Sequence, residues 1–146
     1  MSVENRRRHF FSAGILLFLL ALVTGMIMPW LPNMRMGLSA HLVGILGALF
    51  LIGLGALWRE QNLSERPAAA VYWLAVYGSY ANLVTCLLSA IFATSRLTPL
   101  AGSGHLAEPW QENIVTGGLV SSSVAMVTVC VLVLWGLRKF EANKVA

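Results

Sequence analysis

The chain has 146 residues, of which 58% are hydrophobic and only 11% charged, with a net charge of +4. A water-soluble domain carries about 25% charged residues, so the composition excludes one. The positive balance belongs to a membrane topology and its lipid headgroups; no nucleic-acid-binding motif accompanies it.

Four segments, at about 9–31, 37–58, 68–93 and 112–137, are each long and apolar enough to cross a bilayer, which takes roughly 20 residues. They use nearly the whole chain and predict an all-α fold: an integral membrane four-helix bundle forming one domain over 1–146. The first segment follows Arg6, Arg7 and Arg8. Its apolar run from Phe10 to Met28 is too long for a signal-peptide core and lacks a small-x-small cleavage site, so it is expected to stay. Pro29 and Pro32 end it, and Trp30 suits the interfacial aromatic belt. The second helix begins near Gly37 and runs to Trp58. After the polar loop REQNLSERP, Ser64 to Pro67 opens the third helix. The loop TSRLTPLAGSGHLAEPWQEN is the longest; Gly102 and Gly104 allow a fold-back there. Glu108, Pro109, Gln111 and Glu112 mark the start of the last helix, with acids at its positive dipole end. Arg6, Arg7, Arg8, Arg59, Arg66, Arg138, Lys139 and Lys144 fall on one side, and only Arg35 and Arg96 on the other. That asymmetry predicts two cytoplasmic termini. Cys86 and Cys130 lie mid-helix and are expected to be free, buried packing thiols.

His41 is the one histidine placed inside a membrane helix, where an unbound imidazole is costly. On a helix it shares a face with Gly37, Gly44, Ala48, Leu51 and Gly55. Such a flat stripe admits either a neighbouring helix or a flat cofactor. Haem, with His41 as axial ligand, is the candidate cofactor; a zinc site would need three or four ligands at a spacing the sequence lacks. His9 sits at a helix end and His105 in the outer loop, so a single embedded ligand leaves the sixth iron position open unless His105 closes it. On the third helix Trp73, Tyr77, Tyr80 and Val84 form one stripe, and Gly78, Asn82, Thr85 and Ser89 another. Asn82 reads either as interhelical glue or as a substrate-orienting amide. Tyr77 and Tyr80 read first as packing aromatics. Glu108, Gln111 and Glu112 read first as a solvent-facing helix start, on the same side of the membrane as His41.

Four blocks in order, PNMRMGLSAHL, YGSYANL, GSGHLAEPWQE and LWGLR, resemble the hydroxylaminobenzene mutase family of small bacterial membrane enzymes, over roughly 9–138. That family is distantly similar to styrene oxide isomerase, a trimeric membrane haem-b protein whose ferric iron acts as a Lewis acid. The resemblance implies that His41 ligates haem b and that Asn82 carries over to the reaction site. It further implies a homotrimer in the bacterial inner membrane, acting on a small aromatic substrate. With the stripe and the loop, the candidate residues are Asn82, Tyr80 and Glu112 for catalysis and His41, Gly44 and Ala48 for the cofactor. The isomerase pattern has asparagine where Gly47 stands and tyrosine where Cys86 stands, which points away from epoxide isomerisation. Mutase members carry an acid where this chain has Val43. The implied reaction is an intramolecular hydroxyl transfer from arylhydroxylamine to 2-aminophenol. The alternatives are a non-catalytic haem- or quinone-binding membrane subunit, and an epoxide isomerase.

Overall fold

The computed structural model describes residues 2–102 and 104–145, with side chains through Arg138. Lys139 and Lys144, counted in the charge asymmetry above, therefore lie where only the backbone is described. Four long helices dominate: α1 (Val3–Ile27), α2 (Met34–Leu57), α3 (Glu65–Phe92) and α5 (Pro109–Val145), with a single-turn α4 (Pro99–Gly102) in the long loop. All four long helices are long and apolar enough to span a membrane. Single 3-10 turns, Met28–Trp30 and Trp58–Glu60, finish α1 and α2. The first of these turns carries Pro29, whose missing N–H suits the start of a new turn.

The helices follow one another in space. α1 packs on α2, α2 on α3, and α5 chiefly on α3, with a brief contact between α1 and α3. The bundle is therefore open, and a groove remains between α2 and α5 over the surface of α3. Its core is built from Phe10, Leu17, Leu51, Val71 and Val129 together with small residues such as Ala21, Ala40, Ala48 and Ala75. Small side chains let the backbones approach closely where lipid supplies no hydrophobic drive of its own.

Each end of the bundle is tied by polar contacts. At one end Arg6 reaches Glu65 at 2.7 Å and Arg59 reaches Glu4 at 3.1 Å. The Asn62 N–H donates to the Gly136 carbonyl there, so both chain ends gather on this side. At the other end Asn33 caps α2 by accepting from the Met36 N–H, and its side-chain amide donates to the Ala101 carbonyl at 2.9 Å. α3 stops at Ala93, which adopts a left-handed φ of 54°. Gly104 takes φ 80° in the fold-back expected of it, and Gly102 sits so close to Ser95 that a side chain has no room. α5 starts at Pro109 as expected, with Gln111 reaching back to accept from the Glu108 N–H at 2.9 Å. Cys86 is a buried free thiol, but free Cys130 is exposed on α5, which packs chiefly on α3.

Candidate functional site

α2 positions its histidine against α1. His41 is half-buried, and its Nδ1 lies 2.8 Å from the Ala21 carbonyl oxygen. Since a carbonyl only accepts, Nδ1 is the donor, and in a neutral ring Nε2 is then the nitrogen with the lone pair. Among the described residues no hydrogen bond engages Nε2. Gly25 makes room for the ring, because a Cβ there would stand 2.6 Å from Nδ1. Around this niche Leu22, Met26, Leu38 and Leu42 are exposed, so the imidazole sits at the rim of the α1–α2 seam.

The small-residue stripe beneath His41 is filled by α1. A Cβ on Gly44 would meet that of Ala21 at 2.7 Å, and Gly14 lies against the Ala48 carbonyl. Gly37 receives Met28, Gly55 receives Phe10, and Ala48 and Leu51 are fully buried. Of the two occupants the stripe admits, the structure contains the neighbouring helix. Gly44 and Ala48 thus offer no open face to a macrocycle; they let α1 bring its Ala21 carbonyl to the histidine.

Asn82 belongs to a different place. It lines a cavity of about 290 Å³ between α2, α3 and α5, with Val43, Leu46, Gly47, Phe50, Gly78, Ser79 and Met126. That is near the lower end of small-molecule sites, roughly 300–1,000 Å³. The walls are apolar except for Asn82 and Ser79. The Cys86 thiol points at the Asn82 Oδ1 from one turn along, at 3.7 Å. Gly78, Thr85 and Ser89 share the Asn82 side of α3 as expected: Gly78 meets Met126, Thr85 lies against Gly118, and Ser89 bonds Thr94. On α2 the cavity positions 43, 46, 47 and 50 are turned away from position 41 by a third of a circle or more, the interval that a 3.6-residue repeat dictates. Within one chain, therefore, His41 and the cavity that Asn82 lines lie on different sides of α2.

The remaining candidates are elsewhere again. Tyr80 faces α1, where its hydroxyl donates to the Ala13 carbonyl at 2.8 Å. Glu112 is 7% exposed rather than solvent-facing. Its carboxylate accepts the backbone N–H groups of Ser95 at 2.8 Å and Arg96 at 3.1 Å, clamping the outer loop to α5. Neither residue lines the Asn82 cavity. Tyr77 bonds Ser121 at 2.8 Å, His9 stacks edge-on against Tyr72, and His105 turns its Nδ1 onto its own loop at the Gly102 carbonyl. Sequence reasoning passed over Ser79, although it stands three residues from Asn82 and beside Gly78; serines are common enough in membrane helices that spacing alone does not single one out.

Comparison with known proteins bears on what such a cavity does. The family model for styrene oxide isomerase matches residues 6–138. The chain is 41% identical over 138 residues to hydroxylaminobenzene mutase HabB of Ectopseudomonas oleovorans, covering 94% of this chain and 84% of the relative. It is 38% identical over 132 residues to hydroxylaminobenzene mutase HabA of the same organism, covering 90% of this chain and 98% of the relative. No solved structure matches it.

Proposed function

The chain belongs to the styrene oxide isomerase family, and on that premise we propose that this membrane isomerase converts hydroxylaminobenzene-type arylhydroxylamines to 2-aminophenols. The observation that carries the reading is the α2–α3–α5 cavity, apolar, sized for one aromatic ring, and carrying the Asn82 amide on its wall. An arylhydroxylamine has the matching form: a ring that partitions into the bilayer and one polar N–OH head.

Haem b is part of the proposal, with His41 as its ligand. The donor chemistry fits, because metal-binding histidines hold one ring N–H on a carbonyl or carboxylate and present the other nitrogen bare. His41 does this through Ala21. Iron held there would supply Lewis acidity toward the hydroxylamine oxygen. Gly44 and Ala48 serve that ligand by holding α1 behind it.

The chain's own residues account for the regiochemistry. Val43, Leu46, Phe50 and Met126 keep bulk water from the ring, so an oxygen leaving nitrogen returns to the same molecule. Asn82 orients the head so that the ortho carbon is the nearest acceptor. One C–O bond replaces one N–O bond, the ortho carbon gives up a proton, and the nitrogen gains one. Atoms and electrons balance without an outside reductant. Solvent attack would favour the para position instead.

A homotrimer in a bacterial inner membrane completes the reading. Its support is geometric: His41 and Asn82 face apart in one chain, so they meet only across an interface between copies. The positive end of the chain supports cytoplasmic termini. The test is to incubate purified protein with hydroxylaminobenzene and no electron donor. Formation of 2-aminophenol is expected. No product, or 4-aminophenol in its place, would overturn the proposal, and turnover of styrene oxide alone would favour the epoxide branch.

A further inference from the structure

Ser79 is 2% exposed, and its hydroxyl has no hydrogen-bond partner among the described residues. A buried hydroxyl without a partner costs roughly 1–3 kcal/mol, and inside a bilayer no water stands ready to relieve it. It lines the same cavity as Asn82, three residues away on α3 and hence on the same side of the helix. Gly47 stands opposite it on α2. A Cβ at that position would lie 3.2 Å from the Ser79 Cβ and 3.5 Å from its Oγ. A side chain larger than alanine at 47 would take the remaining space between the hydroxyl and the cavity.

We infer that Ser79, buried in the cavity wall opposite Gly47, is a specificity-determining contact that accepts the N–H of the substrate's nitrogen. The inference rests on the cavity being the substrate site, and it divides the head group between two residues. The Ser79 oxygen carries two lone pairs, so it can accept the substrate's N–H. The Asn82 amide is left for the hydroxylamine oxygen, since the Cys86 thiol points at the Asn82 Oδ1 and leaves Nδ2 as a donor. A serine oxygen paired only when ligand is present rewards a substrate with an N–H and penalises an apolar ring of equal size.

Aniline and toluene separate this contact from general packing, because they differ only in an amino group against a methyl. In detergent-solubilised protein, Ser79→Ala is expected to weaken aniline binding by roughly 3–10-fold, the worth of one hydrogen bond. Toluene binding should stay unchanged. The melting temperature should hold or rise, since no protein hydrogen bond is lost. kcat/KM for hydroxylaminobenzene should fall by the same factor as aniline affinity. Gly47→Val, which fills the space above Ser79, should abolish binding of both ligands. Unchanged aniline affinity in Ser79→Ala would overturn the inference, as would equal loss of aniline and toluene. Gly47→Val that binds both ligands normally would move the site elsewhere. If wild-type protein makes 2-aminophenol while Ser79→Ala behaves as wild type, only the Ser79 contact fails; if wild type makes none, the proposed reaction fails first.

Discussion

At residue scale the arrangement that matters most is a ring held by a missing side chain. The His41 imidazole occupies the space a Gly25 Cβ would take, with Nδ1 donating to Ala21. Gly25→Ala is therefore expected to displace the ring, and with it the bare nitrogen, without touching any candidate ligand. If His41 holds haem, the purified Gly25→Ala variant should show a weakened Soret band, and His41→Ala should show none. A full Soret band in His41→Ala would exclude His41 as the ligand. Asn82→Ala makes the complementary case. It should keep the Soret band but slow turnover by roughly 10–1,000-fold, the range for losing one hydrogen bond to developing charge. Normal turnover in that variant would return Asn82 to the role of interhelical glue.

At the scale of the elements, the outer loop shows how a position can be misjudged from its neighbours. Glu112 sits in the first turn of α5, where acids usually face water and the helix dipole. It is instead buried and holds two loop N–H groups. Glu112→Gln leaves one of those N–H groups facing an amide that does not accept, and should cost about 1–3 kcal/mol of stability. Thermal unfolding in detergent reads this directly, and kcat should stay close to wild type if Glu112 acts only on the loop. The four spans, the Pro109 start and the turn at Gly104 were legible in the sequence because each answers to a local rule: bilayer thickness, a proline without an N–H, a glycine at positive φ. Partners were not legible. A helix that is apolar on every side carries no directional pattern to say which face meets protein and which meets lipid. That is why the Gly44–Ala48 stripe read equally well as a cofactor bed and as a seat for α1. It is also why Cys130 read as buried when it faces outward. Ser79 escaped notice for a related reason, since its meaning lies in the Gly47 opposite it on another helix.

For the whole molecule the decisive fact is that one chain separates the two residues assigned to the proposed reaction. His41 looks out past α1, and Asn82 into the groove beside α5. In a ring built by a head-to-tail interface, each site would take its histidine from one copy and its amide from the next. Co-expression of His41→Ala with Asn82→Ala tests this. His41→Ala alone should be inactive and Asn82→Ala slowed as above, but equal mixing should raise activity to about a quarter of wild type, because a quarter of the neighbour pairs carry both intact residues. No recovery in the mixed oligomer would place the complete site within a single chain. A monodisperse, fully active monomer would do the same.

The ionic and backbone ties that gather both chain ends at one face, Arg6 to Glu65, Arg59 to Glu4 and Asn62 to Gly136, carry a practical corollary. With an even number of crossings, the tail of one copy finishes on the side where the next begins. α5 carries the backbone nine residues past Gly136 to Val145, a helical reach of roughly 14 Å at 1.5 Å per residue. Three copies can thus be fused in tandem through flexible linkers without an added transmembrane segment. In such a concatemer each substitution has a known address, so the order in which one copy serves its neighbour becomes something to be written into the gene and read out as rate.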